Sequence, residues 1–109
     1  MSRSQATTDA VFAALADPTR RAVLALVGRR GPLSATELAT ELPVTRQAVV
    51  KHLGLLRDAG LVGATRVGRD VRYELRSGAL DPAADWINAV GERWDRRLAA
   101  LQQRARQRG

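Results

Sequence analysis

Residues 45–75 read TRQAVVKHLGLLRDAGLVGATRVGRDVRYEL, and two periodicities meet inside that stretch. As far as Asp58 the apolar residues Val49, Leu53 and Leu56 recur at i, i+4 and i+7, one stripe of an α-helix. Thr45 can cap that helix at its start. Gly60 can end it in the left-handed conformation, with Leu61 folding back onto Leu56. Beyond it the period is two: Val71, Tyr73 and Leu75 alternate with Arg72, Glu74 and Arg76. Residues 61–67 can pair with them across Gly68-Arg69-Asp70, which predicts a hairpin.

The residues upstream say what kind of helix this is. Ser34-Ala35-Thr36-Glu37 has the capping-box pattern and opens a short helix with Leu38 and Ala39 inward. Leu42-Pro43-Val44 is the turn after it, because Pro43 cannot extend a helix. Two short helices joined by a three-residue turn and followed by a hairpin make a winged helix-turn-helix. Further upstream, helical spacing begins near Thr8 with Val11, Phe12 and Leu15 on one face. Asp17 then caps a second helix that starts at Pro18, carries Val23, Leu26 and Val27 inward, and is expected to end at Gly28. Residues 1–7 are polar and unpatterned and predict a loose arm. Downstream, a last helix is expected over about residues 82–105. The whole reads as a single winged-helix domain over 8–109, mostly α with a small β-hairpin, in the order H-H-H-H-β-β-H.

The chain has 109 residues, enough for one compact domain. Its net charge is +7, from 18 Lys and Arg against 11 Asp and Glu. That surplus points to a polyanion, with nucleic acid first and an anionic membrane second. Only Lys51 is lysine; the arginine bias suits phosphate binding, but a GC-rich genome produces the same bias. The distribution is more telling than the total, since residues 45–76 carry +4 of the +7 in under a third of the chain. The chain contains no cysteine, which excludes disulfides, thiolate metal sites and cysteine nucleophiles. No apolar run approaches a membrane span, and the first ten residues lack the apolar core of a signal peptide.

On the helix after Thr45, an inward stripe of Val49, Leu53 and Leu56 puts Gln47, Lys51 and Gly54 on the opposite face. Arg46 and Val50 flank them. Thr45, Arg46, Gln47, Val50 and Lys51 are therefore the candidate DNA contacts of the helix, whose N-terminal end is the part that meets base edges. Arg46 suits a guanine or a phosphate, Gln47 an adenine, and Val50 a thymine methyl. His52 lies next to the inward face and reads as a packed or backbone-bonded residue, with a phosphate contact as the alternative. On the hairpin Arg66, Arg69, Arg72 and Arg76 cluster. Arg69 is at the tip, where it can enter a minor groove or clamp phosphate, and Arg66 and Arg72 are expected to contact DNA with it. The bland alternative is that strand arginines deter edge pairing.

The last helix has a different pattern. Ala83, Ile87, Val90, Trp94, Leu98 and Leu101 recur at steps of three and four, an apolar stripe along one side. A domain this small cannot cover such a stripe from within. With Val11, Phe12 and Leu15 of the first helix, the residues Ile87, Val90, Trp94, Leu98 and Leu101 are expected to form a homodimer interface anchored by Trp94. The alternative is a helix folded back on its own domain. A dimer places two recognition helices roughly 34 Å apart, one DNA turn, and predicts an inverted-repeat operator on double-stranded DNA.

Residues 12–21, FAALADPTRR, resemble the opening signature of ArsR-type bacterial repressors. Glu37-Leu38-Ala39, Lys51-His52-Leu53, residues 56–62 (LRDAGLV) and Gly68-Arg69 with Tyr73 are similar to that family's later motifs, in the same order. The resemblance covers about residues 9–76. It implies a dimeric, cytoplasmic, DNA-binding transcriptional regulator, usually a repressor released by an effector. Val50 departs from the pattern, which most often has a small hydroxyl residue before Lys-His-Leu. Many family members sense metals through cysteines or through Asp/His/Glu sets on the terminal helix. Here Asp81, Asp85, Glu92 and Asp95 stand there without imidazole or thiolate, so no metal and no cofactor are expected. Competing readings are a winged helix that binds protein, against which Arg46, Gln47 and Lys51 argue, and an enzyme, for which no nucleophile–base pair or phosphate loop is present. Membrane-surface binding is disfavoured because Asp85, Glu92 and Asp95 interrupt Arg93, Arg96 and Arg97.

Overall fold

Asp17 and Pro18 divide the first two helices. A computed structural model describes residues 3–108, with side chains from Thr8 onward. Helix α1 spans Arg3–Leu15 and α2 spans Pro18–Arg30. The Asp17 carboxylate accepts from the backbone N–H groups of Thr19 (2.7 Å) and Arg20 (3.0 Å), which meets two of the orphan donors of α2. The first turn of α2 serves α1 in return. Arg20 Nε donates to the carbonyl of Ala14 (2.6 Å) and Arg21 to that of Leu15 (2.7 Å), satisfying the last carbonyls of α1.

Two boundaries differ from the sequence expectation. The arm expected over residues 1–7 is helical backbone from Arg3, because helix geometry continues where no apolar residue marks it; residues 1 and 2 lie outside the described residues. Helix α2 does not stop at Gly28 but runs two residues further and is capped by Gly31, whose N–H bonds the Val27 carbonyl at 2.8 Å. A Cβ at position 31 would collide with that carbonyl oxygen, so the cap position admits only glycine.

Strand β1 (Leu33–Ser34) follows, then α3 (Ala35–Glu41) and α4 (Arg46–Asp58). Ser34 and Glu37 form a reciprocal capping box, each side chain bonding the other's backbone N–H at 3.1 Å. Thr45 caps α4 by accepting from the N–H of Ala48 at 3.1 Å. At its far end Gly60 has φ 79°, Leu61 N–H bonds the Leu56 carbonyl and Gly60 N–H bonds that of Arg57, both at 2.9 Å. These are the two bonds of the Schellman motif. Strands β2 (Val62–Val67) and β3 (Asp70–Leu75) then pair antiparallel from Val62↔Leu75 to Val67↔Asp70. Gly68, with φ 63°, supplies the positive angle at the first position of the two-residue loop.

The sheet order is β1-β3-β2, so the element order gains one strand over the expected one. Strand β1 pairs Leu33 with Tyr73 and Ser34 with Arg72. A two-residue strand is too short to carry a period, and only its distant partner defines it. The core draws Val11 from α1, Val23 and Val27 from α2, Leu38 from α3, Val49, Leu53 and Leu56 from α4, and Leu61 and Val62 from the base of the hairpin. Helix α5 (Asp81–Arg108) is 28 residues long, about 42 Å at 1.5 Å per residue, slightly longer than expected at both ends. Ala83 is its one buried residue among those described, so the helix does not fold back over its own domain.

Candidate nucleic-acid interface

Burial of Val49, Leu53 and Leu56 fixes the rotation of α4 about its axis. The opposite side therefore faces out: Thr45, Arg46, Gln47, Val50, Lys51 and Gly54 are all exposed. Residues 46, 47, 50, 51 and 54 follow helical spacing and share that face. Among the described residues Gln47 and Lys51 make no hydrogen bond or ion pair, so their polar groups are available to a ligand. A Cβ at position 54 would meet nothing within 4 Å, which leaves the helix surface open to close approach there. Arg46 is already oriented, because its Nε donates to Thr36 Oγ1 at 3.2 Å. The two terminal nitrogens of the guanidinium remain to donate elsewhere.

The hairpin stands beside this face as the wing. Arg69 is exposed at its tip, and Arg66 Nε reaches the carbonyl of Gly68 at 3.4 Å. Arg72, also expected to contact DNA, makes an intramolecular ion pair through one nitrogen, NH1 to Glu37 Oε1 at 3.0 Å. Between α3, α4 and the wing lies an open cleft of about 260 Å³, bordered by Thr36, Arg46, Val50, Arg69, Val71 and Tyr73. Two arginines thus flank a partly apolar floor. The bonds from the Ser34 N–H and hydroxyl hold the Glu37 carboxyl below its usual range, with Arg72 adding to them.

His52 is half-buried on α4, and its Nδ1 is enclosed without a hydrogen-bond partner. Among the described residues no three of His, Cys, Asp and Glu gather where they could hold a metal ion. No helix of the described residues is long and apolar enough to cross a membrane.

A second surface lies on α5. Ile87, Val90, Trp94, Leu98 and Leu101 are between 40% and 60% exposed, which is unusual for so many large apolar side chains in a row. Phe12 and Leu15 are half-buried, and the Phe12 ring lies against the base of that helix. Val11 is not part of this surface: it has no exposed area and belongs to the core, because α1 turns that position inward between its neighbours. Trp86 belongs with the surface although the stripe passes it by. It is 57% exposed and its ring meets Phe12, a contact that the step pattern through Ile87 does not signal.

Residues 15–62 match the family model described as a helix-turn-helix domain. The chain is 45% identical over 67 residues to the uncharacterised HTH-type transcriptional regulator YuzN of Bacillus subtilis, covering 56% of this chain and 73% of that one. It is 30% identical over 77 residues to the transcriptional repressor SdpR of Bacillus subtilis, covering 71% and 84% respectively. Among solved structures, an ArsR-like transcriptional regulator from Rhodococcus sp. RHA1 superimposes with a TM-score of 0.76 at 45% identity, over 94% of this chain and 95% of that one.

Proposed function

The chain belongs to the ArsR-type winged helix-turn-helix family of DNA-binding transcriptional regulators, and from that premise we propose that it is a homodimeric repressor of an inverted-repeat operator. One observation carries the reading: the DNA-facing end of α4 and the uncovered apolar stripe of α5 are separate surfaces of one small domain. One surface suits a duplex and the other a second copy of the chain.

Gln47 and Lys51 enter the major groove, with Val50 against a thymine methyl and Arg46 on a guanine or a phosphate. Thr45 lies at the same end of the helix, where its hydroxyl can donate to the backbone. Arg69 and Arg66 of the wing follow the groove and grip phosphate or the minor groove. Arg72 supports the wing from behind. Two such units joined through α5, with Phe12 and Leu15 at the edge, place their recognition helices one turn of DNA apart. Repression then follows from occupying a promoter, a sign of regulation supported by the relative SdpR of Bacillus subtilis, itself a transcriptional repressor.

Selection of bound duplexes from a random pool tests this. Recovery of an inverted repeat supports it, and recovery of a single unpaired half-site removes the dimer. Sedimentation of the free protein supplies the second arm, since a monomer at micromolar concentration contradicts the α5 interface.

A further inference from the structure

Two neighbouring residues of α3 each hold one arm of the surface assigned to DNA. Thr36 Oγ1 accepts from Nε of Arg46, the first residue of α4, at 3.2 Å. Glu37 Oε1 accepts from NH1 of Arg72 in β3 at 3.0 Å, a link across 35 positions of sequence. The carboxylate itself is anchored, because the same Oε1 accepts the backbone N–H of Ser34 and the Ser34 hydroxyl takes the N–H of Glu37. Ser34 in turn pairs with Arg72 in the sheet. The wing strand is therefore fastened twice, through the ladder to Ser34, the N-cap of α3, and through a charge to Glu37 of α3 itself.

We propose that Thr36 and Glu37 are positioning residues of the DNA interface, setting the spacing between recognition helix and wing through Arg46 and Arg72. The proposal rests on the reading of α4 and the wing as the DNA surface. An exposed ion pair adds little to stability, so its use here is geometric. A two-stranded wing that is free to hinge must be ordered when DNA binds, and that ordering weakens the complex. A wing already braced at the observed angle avoids the loss. The cleft that Thr36, Arg46 and Arg69 border is the gap these two contacts hold open.

The sign of one substitution separates this from a solvated acid. Glu37 lies beside a surface that meets phosphates, so neutralising a merely solvated carboxylate tightens DNA binding. A positioning carboxylate does the reverse for the operator. Glu37→Gln keeps the capping box, which accepts glutamine, and removes the charge.

The experiment measures dissociation constants by fluorescence anisotropy on the selected operator and on a scrambled duplex. The expected result is operator binding weakened about fivefold by Glu37→Gln, with scrambled binding unchanged or tighter. Adding Arg72→Gln to Glu37→Gln costs less than Arg72→Gln costs alone. Thr36→Ala, which removes no cap, weakens operator binding and Thr36→Ser restores it, so a folding failure in the Glu37 variant leaves the idea open to refutation. Arg46→Ala and Arg69→Ala are the controls. If neither weakens operator binding, the DNA surface is misassigned and the positioning role falls with it. If both weaken it while Glu37→Gln is neutral or tighter, or if Thr36→Ser fails to rescue, the positioning role alone is overturned.

Discussion

The rings of Phe12 and Trp86 meet edge to face, with 5.5 Å between centroids and 71° between planes. Aromatic pairs favour this arrangement. Here it fixes the base of α5 against α1 and sends the rest of the helix outward, its apolar side uncovered. The exposure of Ile87, Val90, Trp94, Leu98 and Leu101 together is what the proposed homodimer accounts for.

Trp94 is the sharpest probe of that partner. It is 60% exposed in the single chain, so Trp94→Ala leaves the fold intact. An aromatic anchor at an interface is worth about 2 kcal/mol or more, so the dimer should dissociate roughly 30-fold more readily. Sedimentation velocity reads the change, and the thermal midpoint of the diluted monomer should not move.

Asp17 predicts a pH dependence. The N–H of Arg20, helped by that of Thr19, holds its carboxyl below the ordinary value, outweighing partial burial. A depressed carboxyl stabilises the fold fully above its unfolded pKa, and that contribution disappears as pH falls through the folded one. The thermal midpoint should therefore drop as pH falls below the ordinary aspartate value of about 3.9. Asp17→Asn keeps a capping oxygen that does not titrate, so its midpoint should fall less steeply over the same range.

The wing and the recognition helix should differ in kind. Arg69→Ala should weaken all duplexes alike and reduce the log–log salt slope by about 0.9 for each phosphate that is no longer neutralised. Gln47→Ala should relax preference at one base pair, at a cost of about 1–3 kcal/mol on the preferred sequence. Competition binding at two salt concentrations separates the two effects.

Much of this was legible in the sequence because it is local. Asp17-Pro18, Ser34 with Glu37, Thr45, and Gly60 with Leu61 each satisfy backbone groups within a few residues, and the structure has every one of these caps. What escaped is set by distance along the chain. Strand β1 exists because Leu33 and Ser34 meet Tyr73 and Arg72, and nothing in two residues announces that. Arg72 reads as one more basic residue on a strand, and its ion pair with Glu37, far upstream, is set only by the fold. Val11 shares a helical face with Phe12 and Leu15, and only packing decides that it faces the core.

Leu53 tests the core itself. It is fully buried on α4, so Leu53→Ala should cost about 2–5 kcal/mol, a large share of the stability of a domain this size. Denaturant unfolding measures it, and DNA binding should fall only in proportion to the folded fraction.

The most direct measurement is operator selection from a random duplex pool, followed by binding of the selected site across a salt series. A homodimeric operator-binding regulator yields an inverted repeat with half-site centres about 10 bp apart, and a slope near −0.9 for every phosphate neutralised. Recovery of no motif, with affinity indifferent to salt, contradicts it.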